Sequence, residues 1–238
     1  SPQYEAEEKI TVNGNVDLYA VVFNRTTETD LTEDQLPQVD IYKYKQVIFV
    51  GDSRTEFMEN VLTGMGESAT KNVKFVCSAG KGLDWFTTTG WAQLYSIVQH
   101  DSNSILSKKT AVIFNFGVND LSKSADYAEY YNWIAPQLKS KGCELYFMSV
   151  NPVNRLMLPN AGRADRSEAA VRSFNQYMKA NLSSAYTYID MYSYLKSTGY
   201  SFASDHYGTG TVDDGLHYTT RTYKRIFAKC MDSLRVPA

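Results

Sequence analysis

The chain has 238 residues, a formal net charge of −2 and a pI of about 5.9, enough for one sizeable domain with a full core and a small appendage. That charge gives no electrostatic case for nucleic acid or an anionic membrane surface as a partner. No apolar run approaches the roughly 18 residues of a membrane span, so membrane insertion is not expected.

Residues 1–40 differ in texture from the rest of the chain. The stretch EEKITVNGNVDLYAVVF reads as two short strands around a turn at Asn13-Gly14-Asn15. The stretch NRTTETDLTEDQLPQVD then reads as a polar, acidic linker. The phrase ending in Leu18-Tyr19-Ala20 resembles the close of small β-rich repeats of bacterial surface proteins, which implies secretion or a cell-surface location. No charged-then-apolar signal segment opens the sequence, so any export signal is expected to have been removed or never to have existed. The expected division is therefore a hairpin and linker over 1–40 and a main domain over 41–238.

From about residue 44, strand and helix signals alternate. Apolar runs occur at 47–50, 73–77, 111–116, 145–150 and 186–190, and helical periodicity fills the gaps. Val171, Phe174, Met178 and Leu182 share one face of 165–182. Tyr223, Ile226, Phe227, Cys230, Met231 and Leu234 share one face of the last helix, with Thr219 or Thr220 as its cap. Apolar strands alternating with helices mean a five-stranded parallel sheet covered on both faces. Cys77, Cys143 and Cys230 lie in apolar contexts without CxxC spacing and read as small core residues. Eighteen tyrosines would suit a carbohydrate-facing surface if exposed, and need no function if buried.

Open parallel sheets bind ligands beyond the carboxyl ends of their strands. There the sequence places Gly51-Asp52-Ser53, then Ser78-Ala79-Gly80-Lys81-Gly82, then Gly117-Val118-Asn119-Asp120, then Asn151-Pro152-Val153-Asn154, then Asp190. Before the final helix, DDGLHYT places Asp214 and His217 three apart in a Gly-containing turn. Taken singly, these are a helix cap, a glycine turn, a second cap and a chance Asp–His pair. Taken together they supply an acyl-transfer site. Ser53 can act as nucleophile, His217 as its base, and Asp214 as the group that orients the imidazole. The backbone N–H groups of Ser53 and Gly80 and the Asn119 amide can bind the oxyanion, with the helix after Ser53 expected to aim its positive end there.

These residues resemble the SGNH hydrolases, the GDSL-type esterases and lipases. The matching positions are Ser53 in GDS, Gly80 in SAGKG, Asn119 in GVND and His217 in DGLH, over a resemblance running from about residue 45 to the end. Gly82 stands beside Gly80 as a rival for the glycine. The resemblance implies a flavodoxin-like three-layer α/β/α fold and ester hydrolysis by a Ser-His-Asp triad, with no metal or other cofactor. Arg54 departs from the leucine that usually follows the serine. It reads either as a substrate contact or as an ion-pair partner of Glu56 or Asp120. Trp85, Asn151 and Tyr218 are further expected substrate contacts.

Other readings fit less well. An α/β-hydrolase would want G-x-S-x-G at the elbow, where this chain has G-D-S-R-T. His206, beside Asp205, is a rival base, and His100 reads as a surface or capping residue. Asp205, Asp213 and Asp214 lack the spacing of a calcium loop. An FMN site would need a phosphate-cradling loop after the first strand. A non-catalytic carbohydrate-binding surface module would have no reason to keep Ser53, Asn119, Asp214 and His217 together. The expected activity is hydrolysis of short acyl esters, acetyl above all, on a carbohydrate. Lysophospholipase or thioesterase action is the alternative.

Overall fold

The computed structural model describes residues 29–40, 43–100, 108–154, 158, 166–204 and 213–234. Five parallel strands form the central sheet: β1 Tyr44–Gly51, β2 Val73–Cys77, β3 Lys109–Asn115, β4 Cys143–Met148 and β5 Tyr186–Ile189, in the order β2-β1-β3-β4-β5. This is the flavodoxin-like order, and its switch point lies between β1 and β3. The strand ends that carry Ser53 and Asn119 are therefore neighbours across that crevice, with Gly51 registered against Asn115.

Side chains alternate along each strand, so every strand feeds two cores. Ile48, Val50, Val112, Phe114, Leu145 and Phe147 face one side. There they meet α3 Trp91–His100, α4 Ser124–Lys139 and α5 Glu168–Asn181. Val47, Phe49, Ala111, Ile113, Tyr146 and Met148 face the other side. That side is covered by α1 Ser53–Met65, α6 Met191–Thr198 and α7 Thr220–Ser233. A short α2, Leu83–Trp85, runs into α3 through one π turn, Phe86–Gly90. Thr219 caps α7 by accepting the Thr222 N–H, as its sequence suggests.

Two expectations change. The DDGLHYT segment is not a turn. It is β7, Asp213–Tyr218, antiparallel to β6, Phe202–Ser204, with Phe202 opposite Tyr218. The strand accommodates Gly215 at φ +69°, whose carbonyl accepts the Asn154 N–H at 2.8 Å. The latter part of the expected linker also packs as structure. A 3₁₀ turn at Glu33–Gln35 brings Leu36 and Val39 into the core beside α1 and α7, and Lys224 Nζ donates to the Leu31 carbonyl at 2.6 Å. Burying each of those apolar side chains is worth about 1.5–3 kcal/mol, enough to hold an acidic segment down. The Asn13-Gly14-Asn15 hairpin and the Leu18-Tyr19-Ala20 phrase lie outside the described residues. Cys143 and Cys230 are buried as expected, while Cys77 is only half-buried, its thiol donating to Glu59 at 3.3 Å.

Candidate active site

At the end of β1 the helix cap and the candidate nucleophile are different residues. The residue capping α1 is Asp52, whose carboxylate accepts the Arg54 N–H at 3.0 Å. Ser53 is the first helical residue, and its hydroxyl is turned away from the cap toward His217, with Oγ to Nε2 at 2.8 Å. Burial pushes the Asp52 carboxyl up to about 6, against the pull of the Arg54 N–H and guanidinium.

β7 carries both the candidate base, His217, and the candidate orienter, Asp214. His217 Nδ1 lies 2.6 Å from Asp214 Oδ2, while Asp214 Oδ1 accepts the N–H groups of Leu216 at 2.8 Å and His217 at 2.7 Å. Burial alone would raise the Asp214 carboxyl. Its bonds to His217 and to the two backbone N–H groups win, and hold it at about 2. An ionised Asp214 fixes Nδ1 as the protonated nitrogen and leaves the Nε2 lone pair facing Ser53. The imidazole is fully buried, with the Phe57 ring edge-on to it at 4.5 Å.

A second group of donors comes from the turns after β2 and β3. Gly80 is exposed at φ +69°, a conformation that favours glycine. Gly82 has a separate structural reason, because a Cβ there would lie 2.3 Å from Asp120 Oδ2. That carboxylate accepts the Leu83 N–H at 2.9 Å and the Tyr127 hydroxyl at 2.7 Å, drawing the two turns together. Since close packing accounts for Gly82, Gly80 is left as the better candidate for the hole. Asn119 Nδ2 donates to the Lys81 carbonyl at 2.8 Å, and Asn119 Oδ1 accepts from Arg166 Nη2 at 2.9 Å. Among the described residues, the N–H groups of Ser53 and Gly80 make no hydrogen bond. Backbone N–H groups in that condition suit a developing negative charge.

Three of the four expected substrate contacts turn inward. Arg54 is 2% exposed, and its guanidinium donates to three carbonyls: Leu216 at 2.9 Å, Asn151 at 2.8 Å and Pro152 at 2.8 Å. It also lies over the Tyr218 ring at 5.2 Å, and forms no ion pair with Glu56 or Asp120 among the described residues. A charge this deep in the protein is costly without hydrogen-bond partners, and each of its three nitrogens donates to a backbone carbonyl. Tyr218 is buried, with its hydroxyl on the Pro152 carbonyl at 2.5 Å. Asn151 is buried under Arg54. Trp85 alone is partly open, packed beside Phe116. Arg166 was not anticipated, because the Val118 carbonyl and the Asn119 amide oxygen that it meets lie far away in sequence.

The rival base His206 and its neighbour Asp205 lie outside the described residues, as does the side chain of His100. Asp214 already spends both oxygens on β7 itself, which leaves it poorly suited to a calcium site with Asp205 and Asp213.

The GDSL-like lipase/acylhydrolase family model matches residues 47–230. Among solved structures, the chain is similar to a candidate SGNH hydrolase from Slackia heliotrinireducens, at 12% identity and a TM-score of 0.54, covering 81% of this chain and 100% of that one. It is also similar to a candidate acylhydrolase from Bacteroides fragilis, at 16% identity and a TM-score of 0.50, covering 84% and 92%. A third, the acetyl xylan esterase AlAXEase, has 12% identity and a TM-score of 0.51, covering 80% and 100%. At such identities the likeness is one of fold. No match was found among curated proteins.

Proposed function

Because the chain belongs to the GDSL-like lipase/acylhydrolase family and is thereby a carboxylic ester hydrolase, we propose that it cleaves short acyl esters through Ser53, His217 and Asp214. The observation that carries this reading is the unbroken relay from Ser53 Oγ to His217 Nε2 at 2.8 Å, and from His217 Nδ1 to Asp214 at 2.6 Å. Ser53 Oγ attacks the acyl carbonyl carbon as His217 Nε2 takes its proton. The carbonyl oxygen becomes an oxyanion, received by the N–H groups of Ser53 and Gly80 and by the Asn119 amide. Collapse breaks the ester C–O bond, and the imidazolium returns the proton to the departing alcohol. Water, deprotonated by the same imidazole, then attacks the acyl-serine. The acid is released and Ser53 is restored.

We further propose an acetyl group on a carbohydrate as the substrate. The rim is polar on the side of the hole: Lys81 and Asp84 are exposed, and Lys123 pairs with Asp84 at 2.9 Å. A long acyl chain gains about 0.8 kcal/mol per buried CH₂ only where an apolar groove receives it. Trp85 offers one partly open aromatic face, which suits a sugar ring. The rim supports this reading; the likeness in fold to an acetyl xylan esterase does not carry it. The test is kcat/KM on p-nitrophenyl acetate, butyrate and octanoate, beside acetate release from acetylated xylan and peptidoglycan. A steep fall with chain length, with acetate released from a polymer, is expected. Octanoate outpacing acetate with no acetate released would move the assignment to lipid or thioester substrates.

A further inference from the structure

We propose that Arg166 is a positioning residue for the oxyanion hole, setting which way round the Asn119 side-chain amide sits. This inference rests on the reading of Asn119 as an oxyanion donor. An amide has nearly the same shape after a half-turn about its last bond, but the half-turn exchanges its donor for its acceptor. The neighbours of Asn119 can tell the two apart. Arg166 Nη2 can only donate, and it meets Oδ1 at 2.9 Å. The Lys81 carbonyl can only accept, and it meets Nδ2 at 2.8 Å. A flipped amide would set donor against donor and acceptor against acceptor at the same time.

The guanidinium is itself held in place. Its Nε donates to the Val118 carbonyl at 2.8 Å, so two donors of one rigid guanidinium grip Val118 and Asn119 together. With one amide hydrogen committed to Lys81, the planar nitrogen points its other hydrogen in a fixed direction. A charged donor on Oδ1 also draws electron density through the amide and makes that N–H a stronger donor. Lys81 follows Gly80 in the chain, so the same amide ties the Gly80 turn to Asn119. Arg166 lies just ahead of α5, whose cap is Ser167, and so it reaches the hole from a different layer of the fold.

The experiment measures kcat and KM on p-nitrophenyl acetate, and melting temperature, for Arg166→Ala, Arg166→Lys, Asn119→Ala and the Asn119→Ala/Arg166→Ala double variant. Losing the Asn119 donor should lower kcat by roughly 10²- to 10³-fold, and losing Arg166 by about 10-fold, both with KM nearly unchanged. Arg166→Lys should recover part of kcat, since an ammonium can still donate to Oδ1. The double variant should be no slower than Asn119→Ala, because Arg166 then has nothing to orient. Multiplying losses in the double variant, a rise in KM alone, or no loss on Arg166→Ala would overturn the proposal while leaving the hole intact. Wild-type kcat in Asn119→Ala would instead remove the hole assignment itself, and the role of Arg166 with it.

Discussion

Arg54, the residue after Ser53, donates through Nε to the carbonyl of Leu216, the residue before His217, at 2.9 Å. The hydroxyl and the imidazole are therefore tethered one position away from the place where they meet. The other two guanidinium donors hold Asn151 and Pro152, so the end of β4 is drawn into the same knot.

Replacing Arg54 by leucine should cut those ties. The Leu216 and Asn151 carbonyls would lose this donor, at a cost of about 1–3 kcal/mol each if nothing replaces it. Melting temperature should fall clearly, and kcat should fall with it as β7 loosens against α1. Thermal melts and steady-state kinetics of Arg54→Leu check both. A variant as stable and active as the parent would mean that the clamp is dispensable.

Ser53→Ala should separate chemistry from stability. Asp52 is the cap of α1, so losing the Ser53 hydroxyl leaves the helix start intact. Ester hydrolysis should drop by about 10³-fold or more, with the melting temperature nearly unchanged. Organophosphonate labelling followed by peptide mapping provides the independent check. A stoichiometric label on another serine would refute the nucleophile.

The pH profile should report on the Asp214–His217 pair. With its carboxyl held at about 2, Asp214 stays ionised across the whole acid limb, so that limb reports the imidazole together with the buried Asp52 carboxyl at about 6, and the part that moves on changing Asp214 is the imidazole's. Asp214→Asn removes a negative neighbour that favours imidazolium. The acid limb should therefore move to lower pH, while the plateau falls by up to about 10⁴-fold as the tautomer is lost. An unchanged profile and plateau would show that Asp214 does not orient His217.

A fourth expectation concerns acid stability at the opposite end of the sheet. Burial would raise the Glu144 carboxyl, but Lys109 at 2.6 Å, the Tyr44 hydroxyl and Lys43 pull it down to about 2. A depressed folded pKa means that its stabilising effect is complete above the ordinary glutamate value of 4.5 and is lost as pH falls toward 2. Glu144→Gln should melt lower than the parent at pH 7, with the gap closing below about pH 4. Its esterase activity at pH 7 should be retained, since Glu144 lies at the start of β4, away from Ser53. A gap that is constant with pH would refute the assignment.

The strands could be read from the sequence because their hydrophobic runs have no other use. All five were found, although β1, β3 and β4 begin two or three residues earlier, on Tyr44-Lys45-Gln46, Lys109-Thr110 and Cys143-Glu144. Polar side chains at a strand start do not register as apolar runs. That Ser53, Asp214 and His217 belong together was legible because side-chain chemistry announces itself by residue type. Arg54 and Arg166 were not, because their partners are mostly backbone carbonyls, which every residue carries. β7 read as a turn because Gly215 sits inside it, and a glycine at φ +69° looks the same in sequence wherever it lies.

On the proposed catalytic roles, the placement of Asp214 and His217 together on β7 also sets when activity arises during synthesis. The proposed nucleophile and oxyanion donors are all made by residue 119, while the proposed base and its orienter come only with residues 213–218, ahead of the last helix. A nascent chain can lay down all five parallel strands and still be hydrolytically silent. Ester turnover then serves as a report that the ribosome has delivered the carboxyl-terminal hairpin and that it has closed over α1.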